Sequence, residues 1–284
     1  MSLPNLQEYL RPTDLEDALR LAARAAPRTR IVAGGTWIGA EAPRDLESVV
    51  DIGGLALGAI SLEGAVWRLG ATATLQDLVD SPAGVTFCNG VLGEAALAMA
   101  GRSLRNRATL GGAISTADGV SPLVTALLAC DAELSVATLK NDALVMKRVG
   151  LRAFLGYRAS LLEDGALITD IRLSVPSPDT RAAYERVART PRDYPLVCAV
   201  ARCAIKDGIA GNVRLALGGV AATPIRIELA EFGLEKKRLA DHIEHALDHG
   251  LAGLTPAGDW LGSAEYRRAM AREMSLRALL RCAT

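Results

Sequence analysis

The chain has 284 residues, of which half are hydrophobic and 23% charged, enough apolar material for a sizeable core and too much for a disordered chain. Its 32 Lys and Arg are matched by 32 Asp and Glu, so it lacks the basic excess with which nucleic-acid binders neutralise phosphates. No apolar run approaches the ~18–20 residues of a membrane helix, and the opening carries Glu8 and prolines instead of a signal peptide's apolar stretch, so the expected location is the cytoplasm.

In chain order, Thr13-Asp14-Leu15-Glu16 has the form of a capping box opening a helix along Leu15, Ala18, Leu19 and Ala22. Arg30 to Ala33 reads as a buried strand running into Gly34-Gly35, and Ser48 to Ile52 as a second, together a small parallel βαβ-like unit. Gly64 separates the arms of a hairpin, Thr74-Leu75-Gln76-Asp77 caps a short helix, and Gly93 to Met99 reads as another. Leu134–Leu139 and Ala143–Val149 flank Lys140-Asn141-Asp142 as a second hairpin, followed by a strand from Leu167 to Val175.

Pro176-Ser177-Pro178-Asp179 is the best linker in the chain. Beyond it come three strand-like runs, Ala182–Ala188, Val197–Ile205 and Val213–Val220, then helix-like stretches at Leu239–Leu247 and Ser263–Leu280. The predicted organisation is a domain over 1–176, with subdomains of roughly 1–57 and 58–176, and an α+β domain over 177–284.

Five cysteines, Cys88, Cys130, Cys198, Cys203 and Cys282, are scattered with no C-x-x-C pair, which excludes an iron–sulfur cluster held by this chain. Cys198 and Cys203, five apart on a strand, point to opposite faces. His242, His245 and His249 lie within about 60° on one helix face, a solvated face in preference to a metal site. No metal ligand set stands out.

Two glycine loops carry the chemistry. The first is Val32-Ala33-Gly34-Gly35-Thr36-Trp37-Ile38 and the second Arg105-Asn106-Arg107-Ala108-Thr109-Leu110-Gly111-Gly112-Ala113. Paired glycines let backbone amides approach a ligand, and successive amides form a nest suited to a pyrophosphate. Neither loop fits G-x-G-x-x-G or the P-loop, which disfavours a nicotinamide Rossmann domain and a P-loop NTPase. Two such loops suggest an extended diphosphate ligand.

The loops, their order and their separation resemble the FAD-binding medium subunit of the molybdenum hydroxylases, the family of the carbon monoxide dehydrogenase and xanthine dehydrogenase flavin subunits. Ala33-Gly34-Gly35-Thr36 matches its first signature and Leu104-Arg105-Asn106-Arg107-Ala108-Thr109-Leu110-Gly111-Gly112-Ala113 its second. Tyr9-Leu10-Arg11-Pro12, Val50-Asp51-Ile52, the run from Ala126 to Ala132, Ala216 to Val220 with Thr223-Pro224, and Ser263 to Arg268 extend the likeness over nearly the whole chain.

The resemblance implies an α+β fold: a two-subdomain FAD-binding domain of the PCMH type, with a small parallel part and an antiparallel part, then a C-terminal domain with a three-stranded antiparallel sheet and helices. It implies an oxidoreductase subunit of a heterotrimer. A small subunit with two 2Fe–2S clusters supplies electrons, a large molybdopterin subunit oxidises substrate, and FAD passes electrons to an acceptor such as NAD or dioxygen. Carried over position by position, Val32, Ala33, Gly34, Gly35, Thr36, Trp37 and Ile38, with Thr109, Leu110, Gly111, Gly112 and Ala113, line the FAD diphosphate and ribityl chain. Thr116 and Asp118 continue along the cofactor, and Met99 and Ile171 pack near the flavin. Exchanging Gly111 or Gly112 for Val is expected to expel FAD with the fold largely intact.

The sequence departs from the family at three points. Ala113 replaces an Asn, Pro122 falls on a cofactor-contacting Asp with Gly119 on its Pro, and Trp37 stands where a small or polar residue is common. Each lost hydrogen bond is worth ~0.5–1.5 kcal/mol. An alternative is therefore a non-catalytic assembly subunit of the same fold with lost or weakened FAD binding. Trp37 is read as a core or lid residue or a flavin shield, and Tyr194, between two C-terminal strands, as part of a solvated hairpin or of the flavin-face region.

Overall fold

Asp14, one residue later than the capping box predicts, caps the first helix. Its backbone is extended and its carboxylate accepts from the amide of Asp17 at 2.8 Å, so helix α1 runs Leu15–Ala22. A three-residue strand, β1 (Glu8–Leu10), precedes it and is too short to leave a pattern. Strand β2 (Thr29–Val32) runs through the first glycine loop into helix α2 (Thr36–Glu41), and β3 (Ser48–Asp51) follows. The hairpin of β4 (Ile60–Glu63) and β5 (Val66–Gly70) turns at Gly64 with φ +61.

Thr74 and Asp77 form the anticipated reciprocal cap. The Thr74 hydroxyl accepts from Asp77 N at 3.0 Å and Asp77 Oδ2 accepts from Thr74 N at 2.8 Å, opening α3 (Leu75–Asp80). Then come α4 (Pro82–Thr86), a 3-10 turn over Phe87–Gly90, α5 (Val91–Leu97), α6 (Arg102–Arg105), α7 (Leu110–Ser115) and α8 (Pro122–Ala129). Strands β6 (Glu133–Lys140) and β7 (Ala143–Gly150) form the second hairpin, with Asn141 and Asp142 at φ 51 and 59 as a tight two-residue turn requires. Helix α9 (Leu151–Glu163) was not anticipated, because Gly156 and Ser160 interrupt the apolar period set by Leu151, Phe154 and Leu155. Strand β8 (Leu167–Ser174) leads to β9 (Thr180–Val187), β10 (Val197–Lys206), β11 (Ile209–Gly218) and β12 (Ile225–Ile227), then α10 (Leu239–Gly250) and α11 (Ala264–Ala283).

The computed structural model describes residues 3–41, 43–163, 165–207, 209–229 and 239–283. They fall into two compact units, each assembled from separated stretches of chain. The first takes residues up to Asp77 with Arg102–Thr116 and Glu133–Leu173; the second takes Leu78–Gly101, Ala117–Ala132 and the chain from Ser174 onward.

In the first unit β1, β3 and β2 form a wholly parallel sheet in that order, and β4-β5-β8-β6-β7 form a five-stranded sheet. Ala18 and Leu19 of α1, Val50 of β3 and Ile52 just after it, and Ala137 and Leu167 of the larger sheet share one core. In the second unit β12-β11-β10-β9 is antiparallel, one short strand more than the three predicted. Val197, Ala199, Ala201 and Cys203 pack toward Leu247, Ala271 and Leu279 of α10 and α11. Cys198 faces the other way, as its spacing from Cys203 predicts, and donates to the Val120 carbonyl at 3.4 Å beside α8.

Ile243, Ala246 and Leu247 of α10 are buried, while His245 and His249 are exposed, their rings tilted at 48° with centroids 4.2 Å apart. Among the described residues, no three His, Cys, Asp or Glu side chains are grouped to hold a metal ion, and no helix is long and apolar enough to cross a membrane.

Arg267 of α11 is buried and ties the second unit together. It donates to the carbonyls of Leu196 at 2.6 Å and Gly219 at 3.1 Å, and it pairs with Asp259 at 2.8 Å. The Gly219 amide in turn donates to the Gly119 carbonyl at 2.6 Å, fixing the loop that carries Asp118. Arg267→Met strands two buried carbonyls and should lower unfolding stability by about 3–5 kcal/mol, read from urea denaturation. A loss below about 1 kcal/mol, the range of ordinary surface exchanges, would contradict this anchoring role.

Candidate functional site

Strand β2 delivers the first glycine loop at the edge of the parallel sheet, where Val32 pairs with Asp51 of β3. Gly35 has φ +71, a conformation costly for any residue with a side chain, and an ideal Cβ there would meet nothing closer than 3.8 Å. The chain turns at once into α2, whose first intrahelical bond is Gly39 N to Gly35 O at 3.1 Å. The amides of Thr36, Trp37 and Ile38 precede that ladder and have no partner among the described residues. A short run of unspent donors thus sits beside an open glycine surface.

The second loop lies directly against the first. A Cβ on Gly34 would fall 1.7 Å from the carbonyl oxygen of Arg107, so only glycine permits this approach of two backbones 73 residues apart. Arg107 Nε donates to the Gly34 carbonyl at 3.3 Å, and its Nη2 lies 3.8 Å from where a Gly35 side chain would start. Arg30 lies 5.8 Å over the ring of Trp37, which is 42% exposed, and pairs with Glu41 at 3.1 Å. Two guanidinium groups therefore flank the open amides, an electrostatic setting for an anion.

The second loop is stitched to the chain following β5. Thr74 and Thr109 form an isolated bridge, with Leu75 N to Ala108 O at 2.8 Å and Leu110 N to Ala73 O at 2.9 Å. Gly111 N donates to Ala71 O at 2.8 Å, and Thr109 caps α7 by accepting from Gly112 N at 3.2 Å. The amides of Leu110, Gly111, Gly112 and Ala113 are all spent inside the chain, so the open donors belong to the first loop. A Cβ on Gly111 would come within 2.8 Å of the Ala71 methyl carbon, so an exchange there disturbs packing as well as the loop, contrary to the expectation of an intact fold. Leu110 and Ala113 are buried, and Thr116 donates its hydroxyl to Gly112 O at 2.8 Å.

The remaining predicted positions belong to other elements. Ile171 is fully buried in β8, opposite Leu134 of β6. Met99 and Asp118 belong to the second unit, where both meet Ser121: its hydroxyl approaches Met99 Sδ at 3.9 Å, and its amide donates to Asp118 Oδ1 at 2.8 Å. Asp118 Oδ1 also accepts from Val120 N at 3.0 Å and from the Tyr194 hydroxyl at 3.0 Å. Burial, and then the neighbouring Asp118 carboxylate, push the Tyr194 hydroxyl above the ordinary phenol range. Sequence reasoning passed over Arg107, Arg30 and Ala71 as site-forming residues. Arg107 sat inside a quoted motif, but its contact with Gly34 is nonlocal and has no sequence pattern.

The model of the FAD binding domain in molybdopterin dehydrogenase matches residues 4–178, and that of the CO dehydrogenase flavoprotein C-terminal domain matches 182–282. The chain is similar to the carbon monoxide dehydrogenase medium chain of Hydrogenophaga pseudoflava, with 30% identity covering 98% of this chain and 97% of that one. It is also similar to the nicotine 6-hydroxylase medium subunit of Paenarthrobacter nicotinovorans, with 29% identity covering 99% and 98%. A solved structure of the Hydrogenophaga pseudoflava carbon monoxide dehydrogenase lacking the Mo-pyranopterin moiety superposes with a TM-score of 0.88 at 29% identity, over 98% of this chain and 97% of that one.

The glycines of the first loop give a direct test of the close approach. Gly34→Ala must push the loops apart and should lower the thermal midpoint by several degrees, about 4 °C per kcal/mol at this scale or somewhat less. Gly39→Ala, with nothing within 4 Å of the new carbon, should leave the midpoint unchanged or slightly raised. Equal midpoints for the two variants would show that the loops are not in contact.

Proposed function

The chain belongs to the FAD-binding flavoprotein family of the molybdopterin dehydrogenases, and on that premise we propose that it is the electron-relay subunit of such a complex. It receives electrons from the 2Fe–2S clusters of a small partner subunit, while a large molybdopterin subunit oxidises substrate, and passes them to an acceptor such as NAD or dioxygen. Bound FAD supplies the chemistry, because an isoalloxazine ring accepts electrons singly and releases them in pairs.

The observation that carries this reading is the junction of the two glycine loops at one open surface. The residues fit an anionic dinucleotide. Thr36, Trp37 and Ile38 offer unspent amides, Gly35 leaves room for a phosphate to approach, and Arg107 and Arg30 supply positive charge. In this proposal Val32 to Ile38 bind the diphosphate directly. Thr109 to Ala113 act mainly by holding their own backbone against Gly34 and Ala71, since their amides are already engaged. Thr116 extends the same surface, and Asp118 with Tyr194 and Met99 orders the loop ahead of α8. Ile171 supports the sheet from within its core.

A second reading, an assembly subunit with lost or weakened FAD, draws on Ala113 and Pro122. Ala113 presents a buried methyl group where the family has a side-chain amide, and Pro122 opens α8 as a buried first residue. The visible spectrum of the purified chain after adding FAD and desalting separates the two. Retained flavin bands, lost in Gly35→Val while far-ultraviolet circular dichroism is unchanged, are the expected result. Well-folded wild-type protein that retains no flavin would favour the assembly reading.

A further inference from the structure

Different groups flank the two ends of the first glycine loop. At Gly34 and Gly35 it meets the second loop: the Arg107 carbonyl would overlap a Cβ at position 34, and Arg107 Nη2 stands 3.8 Å from the place of one at position 35. At Trp37 it meets its own strand, where the Arg30 guanidinium carbon of β2 lies 5.8 Å from the indole centroid. Trp37 is the second residue of α2, and a helical side chain leans back over the turn that precedes its own Cα. The indole is therefore carried beside the loop from which α2 starts.

Trp37 is built as a shelf and not as part of a core. No residue of α2 is buried, and 42% of the Trp37 surface is open. Glu41, one turn further along α2, accepts from Arg30 Nη1 at 3.1 Å and so holds the guanidinium over the ring. A planar bicyclic ring backed by a fixed cation is a surface on which nucleobases stack, since every base has a π-face.

We propose that Trp37, backed by Arg30, stacks the adenine of the bound dinucleotide, a subsite that rests on the reading of the first loop as a diphosphate cradle. A diphosphate seated at Thr36, Trp37 and Ile38 has one arm on the side of the second loop and the other on the side of Trp37 and Arg30. The isoalloxazine exchanges electrons and needs surroundings that keep water from the reduced ring. An open shelf does not provide them. The adenine takes no part in the chemistry and needs only a stacking plane and hydrogen-bond donors. Arg30 has five N–H donors, of which Nη1 serves Glu41, and adenine offers ring nitrogens as acceptors. The shelf thereby makes the site selective for the dinucleotide over a flavin mononucleotide, which has no base to place on Trp37.

Calorimetric titration of the full chain, freed of flavin, with inorganic pyrophosphate, ADP, FMN and FAD tests this. Wild-type protein should bind ADP at least about tenfold more tightly than pyrophosphate, the lower end of base–aromatic stacking. Trp37→Ala should remove that gain and weaken FAD by a similar factor. It should leave pyrophosphate and FMN unchanged, because alanine keeps the amide at position 37. Trp37→Phe, which keeps an aromatic plane, should restore most of the loss, and circular dichroism of each variant separates lost stacking from unfolding. ADP bound equally by wild type and Trp37→Ala, or FMN weakened as much as FAD, would overturn the adenine subsite while the diphosphate cradle stands. Well-folded wild-type protein that binds neither pyrophosphate nor FAD would overturn the cradle itself, and the subsite with it.

Discussion

The contact between Gly34 and the Arg107 carbonyl is the constraint on which the candidate site depends. A side chain at position 34 would overlap that oxygen, so the missing Cβ lets the end of β2 and the segment before α7 share one surface. Each loop is fixed from its own side: the first by the parallel pairing of β2 with β3, the second by its bridge to Thr74 and its bonds to Ala71 and Ala73. The hydrophobic core shared by α1, β3, β6 and β8 holds the two supporting sheets together. The geometry at Gly34 is thus set by both supporting segments together.

The two loops divide the work differently from what two Gly-Gly motifs suggest. The sequence offers both as places where backbone amides approach a ligand; in the structure both are places where one stretch of backbone approaches another. In the first loop the approach leaves donors unspent at Thr36, Trp37 and Ile38; in the second it consumes them, through Ala71, Ala73 and the Thr109 hydroxyl. The difference depends on strand β5 ending beside the second loop, and no local pattern records which segment a loop will lie against. Arg107 was invisible as a site residue for the same reason.

Local chemistry was the part of the fold that sequence expressed best. The Thr74–Asp77 cap, the Gly64 hairpin and the Asn141-Asp142 turn each follow from residues within four positions of one another. Short elements with little pattern were missed, among them β1 and β12, as was α9, whose glycine and serine blur its apolar face. The cysteines show the same limit. Their spacing put Cys198 and Cys203 on opposite faces, yet it gave no hint that Cys282 of α11 would donate to the Ala201 carbonyl of β10.

The proposed role rests on a cradle for the diphosphate and makes a specific demand on affinity. Titrating the protein with FAD and with riboflavin, following flavin fluorescence, tests it most directly. Open amides flanked by Arg107 and Arg30 require FAD to bind at least about a hundredfold more tightly, about 2.8 kcal/mol at ~1.4 kcal/mol per tenfold. Equal affinities would mean that the glycine loops do not hold a diphosphate, and would contradict the account.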